Sequence, residues 1–172
     1  MTRAAYRVRQ FFQYLPGARM TTAQVNEGLA LLGPALSELF QRMTPGEQAH
    51  SYRVLTALKA RGATDREVLA AALLHDVGKI LAPLNVVERT AVVLTRKFAP
   101  RWAREWGGAN GRRRAFVVAE RHAEWGTELA ERAGASPRLV SLIRRHQIPA
   151  PVPPLSEEDR LLRLLQEADE ES

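Results

Sequence analysis

Helix-start signals recur along this chain, and they constrain its fold more than any other sequence feature. Residues 44–47 and 64–67 both pair a threonine with a glutamate three residues on, which is the capping-box pattern. Ser136 precedes a proline, a favoured first-turn residue, and Ser156 precedes an acidic stretch that suits a helix N-terminus. Alternation of apolar and polar residues with period two is scarce, so the sequence predicts an all-α protein.

Apolar residues at spacings of three and four divide the chain into ten predicted helices. These helices cover residues 3–14, 22–32, 34–43, 45–61, 65–76, 84–98, 112–123, 124–133, 137–146 and 157–169. Glycines make residues 107–111 a loop, and prolines make residues 149–154 a connector. We expect one globular domain in which residues 1–44 pack on a helical bundle formed by residues 45–172. The partly amphipathic first helix is expected to dock on the bundle or on another subunit.

Composition excludes several classes of protein. The 172 residues include no cysteine, which rules out disulfides and thiolate metal sites. No apolar run reaches about 18 residues, and the charged N-terminus lacks a signal-peptide core, so we expect no membrane contact and a cytoplasmic location. The net charge is +6, and it favours anionic partners such as phosphates or nucleotides. Nucleic acid is not expected, because no aromatic platform or zinc-finger spacing accompanies the basic residues.

All four histidines fall on apolar helix faces, together with two aspartates. The six residues are His50, His75, Asp76, His122, His146 and Asp169. A single buried histidine is usually satisfied by a hydrogen bond, but four imidazoles and two carboxylates in one core need stronger compensation. Divalent cations would supply it. Imidazole and carboxylate suit iron, manganese, zinc, cobalt or nickel, whereas magnesium prefers oxygen ligands alone.

The order of these residues resembles the signature of the HD superfamily of metal-dependent phosphohydrolases. That signature is a histidine, a His-Asp doublet and a distal aspartate. Here it corresponds to His50 in EQAHSYRVL, His75 and Asp76 in LLHDVGK, and Asp169 in LLQEADE. The resemblance covers residues 45–169. It implies an HD-type helical bundle that hydrolyses a phosphate ester or anhydride, with a nucleotide as the expected substrate.

Two further histidines make the chain similar to the two-metal subset of that superfamily. The resemblance implies that one ion is held by His50, His75 and Asp169. It assigns the second ion to His122 and His146, with Asp76 bridging the two. A water between two such ions acts as a hydroxide nucleophile near neutral pH.

Lysine and arginine side chains near these positions are candidate substrate ligands. In related HDxGK sequences the lysine contacts a substrate phosphate, so Lys79 is assigned that role, and Gly78 is expected to end the helix. Arg53 and Arg145 lie close to metal-ligand positions in sequence, where an arginine can clamp a phosphate. The alternatives are a lysine that neutralises the helix end and arginines that are solvated neighbours.

Departures from known relatives leave the reaction partly open. The stretch RRHQIPAPVPP has one histidine and no Gly-Tyr-Pro motif, which argues against the cyclic-di-GMP phosphodiesterases of the HD-GYP group. Bacterial symmetrical diadenosine tetraphosphate hydrolases have a similar size and the same ligand order. Two alternatives remain: a di-iron oxygenase resembling myo-inositol oxygenase, and a non-catalytic HD domain that binds a nucleotide or a protein. The sequence also leaves homo-oligomer formation open.

Overall fold

The computed structural model of the protein describes residues 19–107 and 113–172. In these ranges the chain forms nine α-helices, one 3-10 helix and no strand, which confirms the all-α prediction. The helices are α1 (Thr22–Leu31), α2 (Pro34–Gln41), α3 (Pro45–Ala60), α4 (Arg66–Leu74), the 3-10 helix η1 (Val77–Leu81), α5 (Val86–Phe98), α6 (Pro100–Gly107), α7 (Arg114–Arg132), α8 (Pro137–Arg145) and α9 (Glu157–Glu171). The predicted helix over residues 3–14 lies outside the described residues. No helix of the described ranges has the length and apolar character needed to cross a membrane.

Most predicted helix starts are confirmed. Thr44, Ser136 and Ser156 each accept a hydrogen bond from a backbone N–H in the first turn of the following helix. At α4 the predicted cap was wrong by one residue, because Asp65 and not Thr64 caps the helix. The Asp65 carboxylate accepts two N–H groups at 3.0 Å each and also complements the helix dipole.

Several predicted features of the helices were wrong. Helix α4 ends at Leu74, and the chain then tightens into η1 instead of continuing to residue 76. The predicted helices over 112–123 and 124–133 form the single helix α7, and α6 was not predicted. Gly78 does not end a helix. A Cβ there would lie 1.9 Å from the carbonyl oxygen of His122 and 2.6 Å from the backbone nitrogen of Gly126, so these glycines allow η1 to pack on α7.

Helix α4 lies at the centre of the main core. Every residue from Val68 to Leu74 is buried, and α3, α8 and α9 pack around it. Leu39 and Phe40 of α2 join the same core, whereas the proposed division of the chain at residue 44 stays a prediction.

A smaller cluster joins α5, α6 and α7. Its buried members are Val92, Ala103, Ala115, Phe116 and Ala119. Trp106 packs against this cluster, whereas the side chain of Trp102 is 58% exposed. The α5–α6 pair therefore has a core of its own on the side of α7.

Candidate metal centre

Five helices bring the six predicted ligand residues together beside the C-terminal end of α4. They are His50 of α3, His75 and Asp76 after α4, His122 of α7, His146 after α8 and Asp169 of α9. Five of the six are buried, and the side chain of Asp169 is 36% exposed. The site therefore has one partly open side, on which Asp169 lies.

The first group of ligand atoms contains His50, His75 and two carboxylates. The Nε2 atom of His50 lies 2.9 Å from Oδ1 of Asp169. The Nε2 atom of His75 lies 3.5 Å from that same oxygen and 3.6 Å from Oδ2 of Asp76. One ligand atom from each of His50, His75 and Asp76 fits within 4.8 Å of the others, which suits a shared metal ion.

The second group contains His122, His146 and the other oxygen of Asp76. Oδ1 of Asp76 lies 3.1 Å from Nε2 of His122 and 4.0 Å from Nε2 of His146. The two histidine Nε2 atoms lie 3.3 Å apart. Asp76 thus directs one carboxylate oxygen toward each group of histidines.

Backbone carbonyls orient three of the histidine rings. The Nδ1 atoms of His75, His122 and His146 lie 3.0, 3.0 and 2.7 Å from carbonyl oxygens three or four residues upstream. A carbonyl can only accept a hydrogen bond, so Nδ1 carries the proton in each ring. The Nε2 atoms are therefore directed toward the centre, where each can ligate a metal ion when it carries no proton.

A bound cation would satisfy these Nε2 atoms once they are deprotonated. Nε2 of His122 and Nε2 of His146 face each other at 3.3 Å, close enough to ligate one ion. Nε2 of His75 is buried and forms no hydrogen bond with any described residue. A divalent ion would satisfy such atoms, and the nitrogen and carboxylate donor set fits a transition metal.

The metal-free site carries strongly shifted pKa values. Burial alone would lower the pKa of His75, but the carboxylates of Asp76 and Asp169 outweigh burial and raise it to about 9. Burial and repulsion from His75 lower the pKa of His146 to about 3. Burial would raise the pKa of the Asp76 carboxyl, yet Lys79 and His75 hold it well below its usual range.

Lys79 lies at the edge of the site. Its ammonium group donates a hydrogen bond to Oδ2 of Asp76, and its side chain is 20% exposed. The structure thus places Lys79 beside the carboxylate shared by both groups. Contact with a substrate phosphate stays a prediction for this residue.

Arg53 and Arg145 are engaged elsewhere. Nε of Arg53 donates to the backbone carbonyl of Ser172 at 3.2 Å. The Arg145 guanidinium donates to Glu158 at 2.7 Å and to Asp159 at 2.5 Å, which anchors the first turn of α9. Their assigned roles in substrate binding stay predictions, and for Arg145 two carboxylates would compete with a phosphate.

Two supporting features were missed in the sequence. Glu47 is 1% exposed, one turn before His50, and it accepts hydrogen bonds from Thr44 and from Arg89 of α5. Only its capping role was visible, because nothing local to the sequence indicates a partner 42 residues away. Gly126 had a readable signal, since an isolated glycine inside a helical pattern often marks a close packing contact.

Comparison with known proteins agrees with this geometry. The family model of the HD domain matches residues 48–172, a range that covers most of the chain and contains all six converging side chains. No curated protein and no solved structure shows significant similarity to the chain. HD domains bind divalent metals and are mostly metal-dependent hydrolases of the phosphohydrolase superfamily. The protein therefore belongs to the HD domain family.

Proposed function

We propose that the protein hydrolyses a phosphate ester or anhydride of a small molecule, with a nucleotide as the substrate class. The observation that carries this proposal is the position of Asp76, whose Oδ1 faces His122 and whose Oδ2 faces His75. A carboxylate between two groups of ligands is the arrangement that two-metal hydrolases need.

Two divalent transition-metal ions would use all six side chains. In this proposal His50, His75 and Asp169 hold one ion, while His122 and His146 hold the other. Asp76 contributes to both. Iron, manganese, zinc, cobalt and nickel all suit this mixture of imidazole and carboxylate ligands.

Phosphate hydrolysis at this site would depend on the bound ions, on the oriented imidazole rings and on the charge of Lys79. When bound, such ions make a coordinated water acidic near neutral pH and stabilise negative charge on phosphoryl oxygens. The carbonyl bonds to Nδ1 keep the imidazole rings oriented, which spares their reorganisation during the reaction. Lys79, beside Asp76, would position a substrate phosphate by its charge.

The first experiment measures metal content and phosphate release in the wild-type chain and in Asp76→Asn. We expect about two transition-metal ions per wild-type chain, as in dinuclear hydrolases. The variant should lose at least one ion and reduce phosphate release from a nucleotide panel by about 10³-fold or more. Glu124→Gln, which alters an exposed carboxylate outside the site, should change neither value. Circular dichroism would show that each variant is folded.

Two outcomes would contradict the proposal. Iron-loaded protein that consumes oxygen during turnover and releases no phosphate would indicate a di-iron oxygenase. Protein that binds nucleotides but hydrolyses none of them with any of the five metals would indicate a non-catalytic binding domain.

The role of Lys79 has a separate test. We expect Lys79→Met to lower kcat/KM by roughly 10- to 100-fold through loss of phosphate binding, while the metal content stays unchanged. Lys97→Met removes a lysine of α5 and serves as the matched control. A Lys79→Met variant with wild-type kcat/KM would remove Lys79 from the substrate site.

A further inference from the structure

Helix α5 presents an apolar stripe to solvent. Val87, Ala91, Leu94 and Phe98 recur at spacings of four, three and four residues, so they lie along one face. Val87, Leu94 and Phe98 are 77%, 49% and 72% exposed, and Ala91 is exposed as well. This α5 stripe contrasts with ordinary surface helices, whose apolar face is directed toward the core.

Polar contacts hold the opposite face of α5 against the bundle. Arg89 forms an ion pair with the buried Glu47. Arg96 donates to the carbonyl oxygen of Ala119 at 3.0 Å. At the side of the helix, Glu88 accepts from Arg114 at 2.7 Å. Turning the α5 stripe inward would break these contacts. The stripe is therefore a stable surface feature of the residues that the structure describes.

We infer that a second copy of the chain covers the α5 stripe, with the two α5 helices packed antiparallel about a twofold axis. The spacing of four, three and four residues is the apolar seam of a two-helix coiled coil. When the twofold axis passes between residues 92 and 93, Phe98 faces the partner's Val87 and Ala91 faces the partner's Leu94. Each pair joins a larger side chain to a smaller one, which fills the seam evenly.

A parallel pairing fits the same residues less well. It would set Phe98 against Phe98 and Ala91 against Ala91, leaving one crowded and one empty layer. The flanking residues Thr90, Thr95, Glu88 and Lys97 carry no net charge. A neutral border suits contact between two copies, whereas helices that lie on anionic membranes are flanked by basic residues.

The size of the α5 stripe indicates a weak dimer. Covering its side chains would remove roughly 400 Å² from each chain, judged by the area that aromatic and aliphatic side chains expose. Twice this area lies below the roughly 1,200 Å² of stable specific interfaces, so the dimer should be weak and should form only at high protein concentration.

Sedimentation equilibrium of the full chain tests the inference. Leu94→Glu places two carboxylates in the apolar seam and should raise the dimer dissociation constant about 100-fold or more. Val93→Glu is the matched control, because Val93 is 56% exposed on the same helix but lies about 100° away from Leu94. It should change the constant by less than about threefold. A wild-type chain that stays monomeric at about 0.5 mM overturns the inference, as does a dimer equally affected by both variants.

Single cysteines test the orientation, since the chain has none of its own. A disulfide-linked dimer should form when Ala91→Cys and Leu94→Cys chains are mixed and oxidised, and neither variant alone should cross-link efficiently. Efficient self-linking of each variant would indicate a parallel pair and overturn the proposed arrangement. A monomer that binds vesicles of anionic lipid through Leu94 would identify another occupant and also overturn it. A monomeric Leu94→Cys variant whose new thiol resists thiol reagents would do the same.

Discussion

Helices α4 and α5 attach to the protein in opposite ways. From Val68 to Leu74 every residue of α4 is buried, and apolar packing on all sides holds this helix. In α5 the side chains that face the bundle include Arg89 and Arg96, while Leu94 and Phe98 face outward. Hydrophobic periodicity identifies a helix in both cases. It gives the correct inward face only where a core, and not a set of ion pairs, decides the orientation.

The largest expected difference between the two regions is the loss of stability when alanine replaces a closely packed glycine. A Cβ on Gly78 would overlap the backbone of His122 at 1.9 Å, whereas one on Gly107 would meet the flexible Glu120 side chain at 2.6 Å and the Phe116 carbonyl at 2.7 Å. We expect Gly78→Ala to lower the free energy of unfolding by about 4 kcal/mol or more, and Gly107→Ala by about 2 kcal/mol. Chemical denaturation of both variants measures this.

Gly46→Ala is the control for that comparison, because a Cβ there meets nothing within 4 Å. Its effect should stay within about 1 kcal/mol and can be stabilising, since alanine favours a helix. Equal losses at Gly78 and Gly107 would show that the α5–α6 pair is packed as rigidly as the bundle.

The next largest difference in stability is expected when one leucine of each helix is replaced by alanine. Leu73 is fully buried in α4 and Leu94 is 49% exposed in α5. Leu73→Ala should cost about 2–5 kcal/mol through the cavity it leaves, and Leu94→Ala about 0.5 kcal/mol or less at a protein concentration where the chain is monomeric. A large loss for Leu94→Ala in the monomer would show that another part of the same chain covers the α5 stripe.

The convergence of the six candidate ligand residues could be predicted because each lies on, or directly after, a helix whose inward face is decided by the core. Spacing to apolar neighbours was sufficient to direct His122 and His146 inward, and the structure brings both to Asp76. Asp169 near the chain end follows the same rule and contacts His50. Local periodicity therefore carries the information about the site.

Other features depend on contacts between distant segments, which periodicity does not encode. The continuity of α7 across residues 123 and 124 was missed, and the approach of η1 explains the glycine at position 126 within it. The end of α4 at Leu74 depends on the same packing. The partners of Glu47 and Arg145 lie on other helices, and no local pattern predicts such ion pairs.

Charge effects should also differ between the regions, beginning with His75 in the bundle. Its pKa of about 9 in the metal-free chain means that a metal ion must displace a proton from it. Apparent Mn²⁺ affinity should therefore rise about tenfold per pH unit between about pH 7 and 8.5, or about 1.4 kcal/mol per unit. His146 is already neutral in this range, because its pKa is lowered to about 3. Competition titration against a chelator measures the slope, and an affinity independent of pH would contradict the proton on His75.

The smallest effect is expected at Glu88 of α5. A backbone hydrogen bond from Asn85 lowers the pKa of the Glu88 carboxyl, burial opposes this slightly, and Arg114 lowers the pKa further. A lowered folded-state pKa adds stability above the unfolded value of about 4.3, and this stability is lost as the pH falls through the folded value. Glu88→Gln keeps the capping hydrogen bond and removes only the charge, so it should cost less than about 1 kcal/mol at pH 7.

The pH dependence of that difference is the diagnostic measurement. The gap in unfolding free energy between wild type and Glu88→Gln should close as the pH falls below about 4, since the wild-type carboxyl then becomes neutral as well. Glu124→Gln, in an exposed pair with Arg121, should show almost no gap at any pH. A Glu88 gap that persists at about pH 3 would mean that side-chain shape and not charge fastens this end of α5. Close packing of side chains, and not charge, would then hold α5 in place, as it holds α4.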